Sequence, residues 1–328
     1  MHAVESMAYA REKPWHGLGK EVPSDLTTAQ MLKAAGLDWR VKKEPVFLAG
    51  KDGAQGERVK GQYALIRTSD GTALSAVGEN YKPTQNEEVL DFFRSFVEAG
   101  DADLETAGSL QDGKYVWCLA RLKCDFSLPG GDDVHNYLLF CNPHAYGYGR
   151  VLKYTSVRVV CWNTLALGLG EKIMDSQGKT TSYRIPHSIE FDSKVAAAAK
   201  KTLGLARQQS KAFEEAARLL AKKRCSKENM EEFFCRVLGH DPSTARVKLD
   251  GSRREPTTLA KVRNAYVKAP GQDLKSAKGT YWGALNAVTY VIDHEIGRTR
   301  DGAMTNSWMG YTGDTKKQAF ALALEMAR

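Results

Sequence analysis

The chain has 328 residues, 42% apolar and 26% charged, a soluble globular composition long enough for one large domain or two ordinary ones. No apolar run approaches the ~20 residues a membrane span needs, and the N-terminal MHAVESMAYAREKPW lacks the apolar stretch of a secretory signal. The net charge of +8 is uneven, since residues 171–279 hold 23 Lys and Arg against 13 Asp and Glu.

In chain order, Trp15-His16 sits between Pro14 and Gly17, which is loop chemistry. Thr27 is placed to cap a short helix over 28–35, stopped by Gly36. Residues 41–48 have strand character. Residues 62–67 and 72–77 alternate around Ser69-Asp70-Gly71, a hairpin signal. Thr84 with Glu87 three residues on reads as a capping box. It opens a helix over 85–98 with Val89, Phe92, Phe93 and Phe96 on one face. Strands over 103–110 and 114–122 follow, joined through Asp112-Gly113, a type I′ signal. Another strand covers 134–142, and NPHAYGYG leads as a turn into YTSVRVVCWNTLALGLG.

That last stretch is expected to be a buried strand over 157–160 running into a helix over 161–169. Arg158 interrupts it, and a charge in so apolar a segment must be paired or must reach a ligand. Asn163 follows as a helix cap or a ligand-facing group. Beyond 180 the pattern predicts a last strand over 180–186 and helices over 194–223, from Ser226 to Gly239, and over 258–268, 281–296 and 314–327. The polar stretch 240–256 reads as a basic loop. The fold class is α+β, a mainly antiparallel twisted sheet with a packed helix followed by a helical C-terminal half. The division expected is a sheet domain over 1–175 and a basic helical region over 176–328, separate or packed on the same core.

Most catalytic patterns fail. Gly178-Lys179-Thr180 resembles the end of a phosphate-binding loop, but Ile173 stands where that pattern needs glycine. Gly168-Leu169-Gly170 lacks the third glycine of a dinucleotide fingerprint. Cys161 and His144 can be drawn as a nucleophile pair, although strand-end cysteines are usually core. The six cysteines show no CxxC pair and no zinc spacing, which fits reduced thiols in a cytoplasmic protein. No metal site and no cofactor is expected. On the helix over 281–296, Asn286, Tyr290 and Asp293 share a face, as a polar site or as a hydrogen-bonded seam between helices.

Four clusters are richer in polar and aromatic groups than folding requires: Trp15-His16; Tyr81-Lys82 with Gln85-Asn86; Asn142 with His144; and Arg158 with Asn163. Aromatic groups beside Lys and Arg suit stacking on bases with phosphate contact; the same aromatics could simply cover a sheet edge.

PWHGLG, GENYKPTQN, ETAGSLQDGKYVWCLARL, NPHAYGYG, YTSVRVVCWNTL and YWGALNAVTYVIDHEIGR occur here in one order. Together they resemble the phage- and plasmid-like proteins of a large domain-of-unknown-function family, number 932. The resemblance spans nearly the whole chain and implies a prophage or mobile-element setting, without supplying an activity. In outline, the hairpin–helix–hairpin pattern is also similar to the core of single-strand annealing proteins, a fold-level analogy.

The charge block favours a polyanionic partner, with a solvated helical surface as the plain alternative. The expected function is binding or annealing of single-stranded DNA without catalysis, as a monomer or a homo-oligomer. Arg150, Lys153, Arg158, Arg246, Lys248, Arg253 and Arg254 would meet phosphates, with Lys82 beside them. Trp15, Tyr81, Tyr146 or Tyr148 would stack on bases. A second expectation is a phosphate-handling enzyme in which His16, His144, Arg158, Asn163 and Asp293 meet in one cleft with Gln85, Asn86 and Asn142. A third is a host-factor-binding or anti-defence protein, marked by an exposed apolar patch.

Overall fold

The computed structural model describes residues 4–11, 18–51, 54–158, 163–165, 182–240, 257–296 and 311–328. The strands are β1 (Val4–Ala10), β2 (Lys20–Val22), β3 (Val41–Ala49), β4 (Gln55–Arg67), β5 (Ala73–Gly78), β6 (Ala102–Leu110), β7 (Tyr115–Leu122), β8 (Phe126–Leu128), β9 (Asp132–Pro143), β10 (Arg150–Arg158), β11 (Asn163–Leu165) and β12 (Ser182–Ile185). The helices are α1 (Thr28–Ala34), α2 (Asn86–Glu98), α3 (Ser193–Lys222), α4 (Lys227–Val237), α5 (Thr257–Lys268), α6 (Tyr281–Tyr290) and α7 (Tyr311–Ala327), with a π-helical turn at Val291–Glu295. The class is α+β, with helices filling the C-terminal half.

Among the described residues, one sheet runs in the order β11-β10-β9-β7-β6-β1-β2, with β12 beside β10 and β8 beside β9. Pairing is antiparallel at β1–β6, β6–β7, β8–β9 and β10–β11, and parallel at β1–β2. A second, antiparallel sheet has the order β3-β4-β5.

Local turn chemistry explains the hairpins. Asp112 and Gly113 take φ of 55° and 86°, and the Lys114 N–H reaches the Gln111 carbonyl at 3.2 Å. Two successive positive φ values are what a type I′ turn demands. Between β4 and β5, Asp70 accepts from the Thr72 N–H and holds the Arg67 guanidinium, bracing the turn at Gly71. That pairing keeps the Asp70 carboxyl well below the usual carboxylate range.

Two local expectations are corrected. The cap of α2 lies one residue later than the Thr84–Glu87 pair: the Gln85 N–H donates to the Glu88 carboxylate at 2.6 Å. The Gln85 side chain is turned back on β3, accepting from the Val41 N–H at 2.9 Å and donating to its carbonyl at 3.0 Å. Second, the helix expected over 161–169 starts instead as β11, with Asn163–Leu165 antiparallel to Ser156–Arg158; the other positions of that span lie outside the described residues. An apolar run this short does not distinguish strand from helix by period.

By compactness the chain forms two units. The described residues within Met1–Lys123, Leu138–Lys153 and Tyr183–Leu203 make the first, and those within Cys124–Tyr137, Tyr154–Ser182 and Gly204–Arg328 the second. In the first, the face of α2 expected to be apolar buries Val89, Phe92 and Phe93, with Phe92 edge-on to Phe140 of β9 at 5.4 Å. In the second, Phe213, Phe233, Phe234, Trp282, Leu285 and Val288 belong to one core. Gly283 permits a close approach there, since a Cβ would lie 2.1 Å from the Ala277 carbonyl oxygen.

Candidate functional site

Within the first unit, three stretches far apart in sequence bring polar groups together beneath the surface. They are residues 81–86 ahead of α2, residues 142–150 between β9 and β10, and residues 187–191 after β12. Asn86, Asn142, His144 and Arg150 are each at most 1% exposed.

The network fixes the chemistry of each group. Asn86 Nδ2 donates to the carbonyls of Leu37 (3.1 Å) and Trp39 (3.2 Å). Its Oδ1 is therefore the acceptor facing His144 Nε2 at 3.0 Å. Burial and the neighbouring His187 push His144 down to about 3, so the ring is neutral. A neutral ring that donates from Nε2 leaves Nδ1 as a bare lone pair. That Nδ1 is buried and has no partner. Asn142 Nδ2 donates to the Thr84 carbonyl at 3.1 Å, which leaves Asn142 Oδ1 buried and unbonded; Thr84 Oγ1 is buried and unbonded as well.

Tyr81 stacks on His187 with ring centroids 4.4 Å apart, and its hydroxyl donates to the Pro143 carbonyl at 2.9 Å. His187 Nδ1 lies 3.2 Å from the Lys82 carbonyl. Burial, then the charge of Arg150, lowers His187 to about 4. Burial also lifts the Tyr81 hydroxyl far above its ordinary value.

Arg150 is the charged member. Its Nη2 donates to the Ile189 carbonyl at 2.7 Å and lies 3.5 Å from that of Lys82, and the guanidinium stands 5.6 Å from the Phe191 ring centroid. Its Nε and Nη1 are buried without partners. Burial lowers it to about 10, so it remains a cation at neutral pH. Desolvation, two neutral imidazoles and one uncompensated cation make a site suited to binding an anion and holding a hydrogen-bond donor.

The residues singled out in the sequence divide. Tyr81, Asn86, Asn142, His144 and Arg150 come together here. Gln85 serves β3, and the Lys82 side chain is an exposed 3.7 Å neighbour of Glu190. Arg150 and Lys153, expected to meet phosphates, are 0% and 6% exposed. The reason is that β10 is buried at every position from Arg150 to Val157, so no alternation marks an outer face. Tyr146 and Tyr148 are exposed, with Tyr148 5.8 Å from the Tyr115 ring.

Asp293 belongs to the second unit, where it forms a buried ion pair with Lys316, so it is part of a seam between helices and not of this cluster. The side chains of Arg158 and Asn163, and Trp15, His16, Arg246, Lys248, Arg253 and Arg254, lie outside the described residues. Thr84 as a site residue and His187 were missed from sequence. The one signal for His187 was a histidine between Pro186 and Ser188 after a strand, the same punctuation that drew attention to His144.

Residues 73–309 match the profile of the family described as Domain of unknown function (DUF932). The chain belongs to this family. The matched span contains Tyr81, Thr84, Asn86, Asn142, His144, Arg150 and His187, so the whole cluster lies inside the family's own region. No curated protein and no solved structure matches the chain.

Proposed function

We propose that this member of the family is a nucleic-acid-binding protein that holds single-stranded DNA without catalysing a reaction on it. The supporting observation is a group of six cations in the second unit, where the end of α3, the start of α4 and the loop 275–279 meet. Lys222, Lys223, Arg224, Lys227, Lys275 and Lys278 are all exposed. Hydrogen bonds to backbone carbonyls hold these segments together: Arg224 Nη1 donates to that of Lys278 (2.8 Å), the Cys225 N–H to that of Gly279 (3.1 Å) and the Tyr281 N–H to that of Lys223 (3.2 Å). None of the six forms an ion pair with a described carboxylate, although Glu228 and Asp273 lie nearby in sequence. Like charges gathered without partners repel one another, and a polyanion relieves that. Exposed Tyr146 and Tyr148 in the first unit supply aromatic faces of the kind that stack on unpaired bases.

The test is fluorescence anisotropy on a labelled single strand and its duplex over a salt series. Six phosphate contacts on a single strand predict a log–log slope of roughly −4. Lys222→Glu with Lys223→Glu and Lys278→Glu should flatten that slope and weaken binding by more than tenfold. The folded core should be undisturbed, because the bonds at Lys223 and Lys278 come from their backbone carbonyls. A Kd that ignores salt, or a triple variant that binds as the parent does, sinks the proposal. Preference for the duplex would move the partner from single to double strands.

A further inference from the structure

We propose that the buried cluster around Arg150 is a binding site for a small oxyanion, a phosphate or carboxylate group on a molecule that also carries a hydrogen-bond donor. This goes beyond the nucleic-acid proposal, whose cation group lies in the other unit.

The first observation is Arg150 itself. It is 0% exposed, and the partners bonded to it are two carbonyls on Nη2. No described carboxylate forms an ion pair with it: Glu88 favours its charge through space, but the Glu88 carboxylate bonds the Gln85 N–H and not the guanidinium. The groups facing it, Tyr81 and His187, are both neutral at physiological pH. Ordered water could satisfy Nε and Nη1 but would leave the guanidinium without an ion-pair partner, and a buried charge lacking one costs several kcal/mol. An oxyanion satisfies both the N–H groups and the charge.

The second observation is independent. Thr84 Oγ1, Asn142 Oδ1 and His144 Nδ1 are buried and unbonded, and the network described above fixes the latter two as acceptors. Native interiors rarely leave such atoms open. Two acceptors and a hydroxyl call for a donor, so the ligand is an acid group with a hydroxyl or amine, not a bare halide.

The experiment uses the full chain, dialysed into chloride. Calorimetric titration and thermal unfolding are run with inorganic phosphate, a nucleoside 5′-monophosphate and lactate, each at matched ionic strength. One of the three should bind at a 1:1 ratio and raise Tm by about 5 °C at a hundredfold excess over Kd. Response to the phosphate pair or to lactate identifies which acid group is meant. Arg150→Gln should abolish the response, and Thr84→Val, a near-isosteric change that keeps the fold, should weaken binding about tenfold. No response to any of the three beyond chloride, or a response undiminished in both variants, overturns the proposal.

Discussion

The two units handle buried polarity in opposite ways. In the second, Asp132 is 0% exposed and its Oδ2 accepts from Ser276 Oγ (2.5 Å) and Trp282 Nε1 (2.9 Å). Asn136 accepts from Tyr154 and Ser156 and donates to the Cys124 carbonyl. Asp293 has Lys316. Among the buried polar groups described there, Gln272 Oε1 is an exception. In the first unit, Thr84, Asn142, His144 and Arg150 each keep an atom open. Saturated networks stabilise and specify a core, whereas a network left half open destabilises the empty fold. On the binding-site proposal, that contrast is between an interior built to hold the fold and one built to receive a ligand.

Acid should break the contrast most strongly. His144 and His187 titrate near 3 and 4 in the folded chain, against 6.5 ordinarily. The unfolded chain therefore binds more protons, so stability is full above pH 6.5 and falls as pH drops toward 4. The first unit should lose on the order of 5 kcal/mol over that window, read from urea unfolding at stepped pH. His144→Gln should remove about half of the slope, and a flat profile would mean both rings ionise freely in the fold.

Next in size is the ion pair of the second unit. Lys316→Met takes the paired cation from the buried Asp293 carboxylate and should cost about 3 kcal/mol, much of which returns when Asp293→Leu is added. Arg150→Met is the sharper counterpart. It removes a charge that has no partner, so in oxyanion-free buffer it should cost about 1 kcal/mol or less. A loss as large as that of Lys316→Met would show that Arg150 is already compensated. Smallest is Thr84→Val, neutral or stabilising by up to ~1 kcal/mol, because the hydroxyl it removes makes no bond. A clear loss in thermal unfolding would contradict that.

The hairpins and α2 were legible because their signals are local: Asp112-Gly113 and Ser69-Asp70-Gly71 set turns by their own dihedrals, and α2 shows its apolar face in one window. The site was half legible. Tyr81, Asn86, Asn142 and His144 stood out as polar and aromatic groups in loops, where folding does not ask for them. Arg150 is marked in the sequence by its charge, as a phosphate contact, but nothing local tells that both faces of β10 are covered. His187 was not found because its partner Lys82 is 105 residues away, a separation that only the folded sheet bridges. The strand β11 was missed because it is three residues of an apolar run without a readable period.

Among the described residues β3 is an edge of the three-stranded sheet, and its end carries Phe47 and Leu48, 40% and 58% exposed. Such a strand is a template on which another copy could add itself and begin to aggregate. Pro45 removes one donor from this row, Lys42, Lys43 and Glu44 place charge along it, and register shifts on either side of Phe47 twist it out of regular pairing. The chain thus keeps apolar side chains at an open edge while denying a neighbour the straight, unbroken backbone that templated growth requires.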